Sequence, residues 1–256
     1  MLFNMKEDEI LFGGECDESL RGFTFYDSDN PQKIQYNDKC LEYLVPIFLE
    51  KDDICPQGNG VIIGSYLITA AHVEQSEDKS INYNKLYYKH DGSIKEVNNE
   101  YLVHDGRNVD DKDGCRDDLI IYKLDKSYDF FKFCNDELRE NMNLTSMPFI
   151  CDKDNGIVRP FYITAYYIGQ SYISKYTQEE TNCYRNCYYV KCRFNDKYIN
   201  GNSGCALFVD DILYGILIAV KGYGSKCNVF EIENYTVLDA KYIKECIDEY
   251  ELSRKD

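Results

Sequence analysis

Apolar residues in this chain come in short blocks, each closed by turn residues, and the blocks change character only at the C-terminal end. Residues 43–49, 60–64, 66–69 and 119–124 are rich in Val, Ile, Leu and Tyr, and the spacing between them predicts antiparallel β-strands. The second half repeats the theme at 161–168, 187–190, 205–209 and 212–220, with Asp210 and Asp211 placed for a tight turn between the last two. The tail reads differently. Ala240, Ile243, Ile247 and Tyr250 recur at helical spacing, and Asp239 stands where a helix N-cap belongs. Residues 1–40 are polar and acidic with little periodicity, which predicts an extension that packs over the rest or stays mobile.

Composition narrows the picture. The chain has 256 residues, 44% of them hydrophobic, enough for one substantial unit or two small closely packed ones. Lys and Arg total 29 against 45 Asp and Glu, a net charge of −16. That balance argues against a nucleic-acid partner, which would call for a basic surface, and favours solubility and encounter with cationic partners. No apolar run is long enough to cross a bilayer, so no membrane partner is expected. The first ten residues carry acids where a signal peptide would be apolar, so the expected location is cytoplasmic. The twelve cysteines are accordingly expected to be reduced, most of them acting as small buried apolar groups. Cys183, Cys187 and Cys192 raise the question of zinc. They lack paired CxxC spacing and lie in a strand-like run, so no metal is expected.

Candidate chemistry concentrates in three places. Gly201-Asn202-Ser203-Gly204 puts a serine on a glycine-bounded turn ahead of an apolar strand. A seryl hydroxyl is a weak nucleophile unless a base lies within hydrogen-bond reach. His72 is the candidate base, because it ends the apolar run Leu67-Ile68-Thr69 behind the small pair Ala70-Ala71, which permits close packing beside the ring. His90 and His104 have no comparable context and read as surface or turn residues. Asp118, ahead of the apolar run 119–124, is the candidate acid to orient the imidazole, with Asp117 as its competitor. Each motif has a structural reading when taken alone: a packed histidine, a strand-start acid, a glycine turn.

Taken together, in the order His, Asp, Ser, the three blocks resemble the signature of the trypsin/chymotrypsin-like serine peptidases, over roughly residues 43 to 250. The resemblance implies a mostly β protein, a double six-stranded antiparallel β-barrel with a C-terminal α-helix. Its expected division is an extension at 1–40 and a peptidase domain at 41–256, with barrels at 41–130 and 150–236 and a helix at 239–252. It favours Asp118 over Asp117, since the family places its acid directly before an apolar strand. Ile120 is larger than the residue usual two places on, which implies local repacking. The backbone N–H groups of Gly201 and Ser203 would form the oxyanion hole.

The resemblance also marks departures. Secreted animal members carry a cysteine directly after the histidine, and this chain has Val73. Pancreatic-type zymogens carry an aspartate before the serine, where this chain has Asn202, so activation through that ion pair is not expected. The motif is more similar to the GNSG of bacterial HtrA, glutamyl-endopeptidase and viral relatives. Counting back from the serine reaches Lys197, either a pocket residue favouring an acidic side chain or a solvated loop lysine. Ile218, Ala219 and Val220 would be the edge that pairs with a peptide backbone, with Gly222 and Gly224 at the pocket mouth.

The expected function is therefore a serine endopeptidase without metal or organic cofactor, acting on protein or peptide substrates. Such an enzyme in the cytosol needs a narrow substrate range or a regulatory partner, and bacterial antiviral defence is one setting where such domains occur. Two other readings are an inactive binding module of the same fold and a processing protease released from a polyprotein.

Overall fold

The computed structural model describes residues 38–74, 85–107, 115–139, 142–152, 157–160, 163–171, 183–184, 186–194, 201–221 and 231–255. The extension expected at 1–40 lies almost wholly outside them. A single helical turn, α1 (Asp38–Leu41), leads into β1 (Leu44–Phe48), β2 (Gly58–Thr69), β3 (Lys85–His90), β4 (Ser93–Asn98), β5 (Leu102–Asp105), the two-residue β6 (Cys115–Arg116) and β7 (Ile120–Tyr128). Six of these strands form one sheet in the order β4-β3-β1-β2-β7-β5, with every pairing antiparallel. The two apolar runs at 60–64 and 66–69 are one strand, not two. Gly64, at φ +57°, bends β2 where its register with β7 shifts, so the chain continues through a bulge instead of turning back.

The second half supplies β8 (Lys132–Phe133), β9 (Asn143–Ser146), β10 (Phe149–Asp152), β11 (Ile157–Pro160), β12 (Ile163–Ser171), β13 (Cys183–Tyr184), β14 (Cys187–Phe194), β15 (Ala206–Val209), β16 (Ile212–Lys221) and β17 (Glu231–Asp239). Strands β15-β9-β12-β14-β17-β16 run side by side, and a β15–β16 pairing joins the two ends into a ring of six. β8 lies parallel against the start of β16, β10 and β11 form a separate ribbon, and β13 pairs with β6. The expected β architecture is what forms, and Asp210-Asp211 makes the tight turn expected, with Asp210 at φ +54°.

Two cores explain why the runs at 205–209 and 212–220 read as unbroken apolar sequence. Ala206, Phe208, Leu213, Ile216 and Ile218 join the larger core, which includes Ile62, Leu67, Ile121 and the fully buried Ile120. Leu207, Tyr214 and Leu217 face the smaller one, with Leu144, Tyr188 and Val237. Strands buried on both faces lose the usual alternation. The closing helix, α2 (Ala240–Ser253), begins as expected, with the Asp239 carboxylate accepting the Lys241 N–H at 2.9 Å. It buries Ala240, Ile243, Cys246 and Ile247 in the larger core, where an isoleucine is worth about 2 kcal/mol.

Three expectations need correction. Cys55 and Cys151 form a disulfide across 96 residues, so the cysteines are not all reduced, while Cys40, Cys134, Cys187, Cys205 and Cys246 are buried. His90 is not a surface residue. Its side chain is packed against the Tyr43 and Tyr128 rings and bonded to Lys95, and burial, then the Lys95 charge, lowers its pKa. His104 lies on β5 and is tied to Asp117. Among the described residues no helix is long and apolar enough to cross a membrane, and no cluster of His, Cys, Asp or Glu is suited to a metal ion.

Candidate active site

β2 carries its apolar residues into the core as far as Thr69, then Ala70 and Ala71, both buried, let the chain tighten into a 3-10 turn at Ala71–Glu74. His72 emerges there with 41% of its side chain exposed, at the edge of a packed wall. Asp118 stands just before β7, the strand that pairs with β2, with only 6% of its side chain exposed. Its Oδ1 accepts the His72 backbone N–H at 2.8 Å, and its Oδ2 lies 2.6 Å from His72 Nδ1. A second backbone bond, from Ala71 N–H to Asp118 O at 3.3 Å, ties the same two segments together. With the carboxylate on Nδ1, the proton belongs on that nitrogen, and Nε2 presents its lone pair to Ser203 Oγ at 2.6 Å.

Ser203 comes from the other half of the chain. Its turn is bounded by Gly201 at φ +104° and Gly204 at φ +77°. A Cβ on Gly204 would sit 2.0 Å from Asn59 O and 2.4 Å from Thr69 Oγ1, so the Ser203 turn presses directly on the first sheet. Gly204 N–H donates to Leu217 O at 2.7 Å, and Cys205 N–H to Asn202 O at 3.0 Å. The Asn202 side chain is buried. Cys205, beside the turn, is inert as a nucleophile, because burial pushes its thiol up to about 12 even though Ser146 bonds it.

Asp117 points elsewhere. Its Oδ2 accepts from His104 Nε2 and from Tyr242 OH on α2, each at 2.6 Å. Burial alone would lower the His104 pKa, but the hydrogen bonds to Asp117 and Cys246 override it and raise it to about 10, so this imidazole is charged at neutral pH. Glu74, two residues past His72, is completely buried between Tyr122 OH at 2.7 Å and Arg107 Nη1 at 3.2 Å. Burial pushes its carboxyl up to about 7 despite both donors.

The structure thus brings together His72, Asp118, Ser203 and Gly201. Lys197, Asn200, Gly222 and Gly224 lie outside the described residues. Ile218, Ala219 and Val220 lie on β16, directly after the Gly204–Leu217 bond. β15 pairs with β16 only as far as Ile216, so past that point this side of β16 has no strand neighbour among the described residues. The Ile218 side chain is in the core.

Sequence reasoning missed Asn59. Its backbone N–H donates to Ser203 O at 2.7 Å and its Nδ2 to Gly201 O at 2.5 Å, while its own carbonyl accepts the Thr69 hydroxyl at 2.6 Å. The available signal was a polar residue between Gly58 and Gly60 at the head of an apolar strand.

Solved structures similar in fold to this chain include proteases. The active form of the Rv3671c protease of M. tuberculosis superposes with a TM-score of 0.56 at 13% identity, over 86% of each chain. This chain has the trypsin-like fold. The MamO protease domain of Magnetospirillum magneticum gives 0.50 at 15% identity, over 80% of this chain and 96% of that one. Kallikrein-related peptidase 10 gives 0.50 at 16%, over 84% of this chain and 97% of that one. No family model and no curated protein matches the sequence. At such identities the likeness speaks for the fold alone.

Proposed function

We propose that this chain is a serine endopeptidase. The observation that carries the reading is the unbroken relay from Asp118 through His72 to Ser203, with 2.6 Å at each link. Ser203 Oγ attacks the scissile carbonyl while His72 Nε2 takes its proton. Asp118 holds the tautomer and stabilises the imidazolium, and the N–H groups of Gly201 and Ser203 receive the oxyanion. His72 then protonates the leaving amine, and water hydrolyses the acyl-enzyme. The edge of β16 at Ile218, Ala219 and Val220 would align an extended peptide, with Lys197 as a candidate for the first pocket. Control would act on the oxyanion turn or by occluding the cleft, since Asn202 cannot form an ion pair with a new N-terminus.

The cytosolic, antiviral-defence setting is part of the proposal and rests on the sequence reading. The Cys55–Cys151 bond pulls against it, because such bonds persist mainly in oxidising compartments. The test of activity is a fluorophosphonate reagent and a diverse peptide library, read by mass spectrometry. Wild type should be labelled on Ser203 and cleave peptides, and Ser203→Ala and His72→Ala should do neither. A wild type inert to both probes would instead favour a binding module.

A further inference from the structure

The oxyanion turn has a weak point that its own residues do not protect. Gly201 sits in a conformation open to glycine, and a Cβ placed on it would meet nothing within 4 Å, so packing does not fix its torsions. Hydrogen bonds must do so. Among the described residues, the Gly201 carbonyl is bonded by Asn59 Nδ2 at 2.5 Å and the Ser203 carbonyl by Asn59 N–H at 2.7 Å. One residue of the first sheet therefore grips both residues whose amides would receive the oxyanion.

The amide that does this is itself held. Asn59 is 2% exposed, its Oδ1 accepts the Phe149 N–H at 2.6 Å, and its Nδ2 also donates to Phe149 O at 3.3 Å. Because the Phe149 N–H requires an oxygen, the orientation of the side-chain amide is fixed, and an N–H group is left to face Gly201. An aspartate carries the acceptor without the donor, a serine reaches less far, and alanine supplies neither. Thr69 Oγ1 on Asn59 O, inside β2, completes the anchorage.

We infer that Asn59 is a positioning residue for the oxyanion hole, holding the Gly201–Ser203 turn in place from the opposite sheet through its two carbonyls. This rests on the protease reading, so its test must separate the two. Fluorophosphonate labelling does so without knowledge of the natural substrate, because the phosphoryl oxygen occupies the oxyanion site. Asn59→Ala should label about a hundredfold more slowly than wild type, the scale of losing one oxyanion donor. The pH of half-maximal labelling and the far-downfield proton resonance of the His72–Asp118 hydrogen bond should stay at their wild-type positions. In Asn59→Asp the labelling rate relative to wild type should recover as pH falls and the carboxyl gains a proton to donate. If Asn59→Ala does not fold, Asn59→Asp and Asn59→Ser, which keep an oxygen for Phe149 N–H, carry the same measurement. Labelling of the variants within about threefold of wild type, or a loss that tracks disappearance of the His72 resonance, overturns the inference. A wild type that does not label on Ser203 overturns the protease reading, and the inference with it.

Discussion

Replacing Asp118 by asparagine changes one atom and should remove the base. Asp118 Oδ1 accepts the His72 backbone N–H at 2.8 Å, and that donor cannot change its chemistry. Asparagine must therefore place its oxygen there, which turns its NH₂ toward Nδ1, only 2.6 Å from the replaced oxygen. Two N–H groups cannot face each other at that distance, so His72 shifts its proton to Nε2. That nitrogen is 2.6 Å from Ser203 Oγ and becomes a donor where an acceptor is needed. The expected loss is about 10⁴-fold in turnover, equivalent to about 5.4 kcal/mol of transition-state stabilisation. Folding should be little affected, because the swap is isosteric.

Asp117→Asn is the matched control. Its carboxylate serves His104 and Tyr242, so activity should stay within about threefold of wild type, since neither His72 nor Ser203 is touched. Its effect belongs to stability. The folded-state pKa of His104 is raised from 6.5 to about 10, so the stability it contributes is complete below 6.5 and lost as pH rises through about 10. Asp117→Asn should flatten the decline of melting temperature across that window. Fluorophosphonate labelling rates and thermal melts from pH 5 to about 10.5 measure both quantities. Equal activity losses in the two variants, or the larger loss in Asp117→Asn, would refute the assignment.

Three further outcomes are expected. Gly204→Ala should destabilise by at least about 2 kcal/mol more than Gly92→Ala in chemical denaturation, because both glycines have positive φ but only Gly204 faces a backbone carbonyl at 2.0 Å. The Glu74 carboxyl is raised from 4.5 to about 7, so its contribution to stability declines as pH climbs from 4.5 to 7. Glu74→Gln should abolish that slope in pH-dependent melts. Non-reducing digestion should release a peptide linking Cys55 to Cys151, and Cys55→Ser should cost about 2–4 kcal/mol, the usual range for closing a long loop. Recovery of all twelve thiols without reductant would deny the bond.

The contact of His72 with Asp118 and Ser203 was legible because each of the three residues ends or begins an apolar run, and the runs fix where the side chains emerge. His72 follows β2, Asp118 precedes β7, and those two strands pair, so two separate sequence blocks had to meet. The glycines around Ser203 were legible for a different reason, since few other residues accept φ of +104° and +77°. The remaining histidines misled because a single polar residue carries no periodic signal. His90 caps a hairpin in sequence yet is buried by Tyr43 and Tyr128, which lie 47 residues before it and 38 after it. The disulfide was illegible for the same reason: nothing local marks two cysteines 96 residues apart as neighbours.

Asn59 extends that lesson to the chemistry. The turn that carries Ser203 is short and bounded by glycines with positive φ. What fixes it comes from the other sheet, through Gly58, Asn59 and Thr69, and this requires β2 to lie in one register against β1 and β7. Sliding β2 by one residue would carry His72 off Asp118 and Asn59 off Gly201 in the same motion. His72 and the turn at Gly201–Ser203 are therefore aligned by a single strand, with His72 following its end and Asn59 near its start. On this reading, repacking β2 from within the larger core should disturb both ends of the relay together, whereas changes to the smaller core should reach only the serine side.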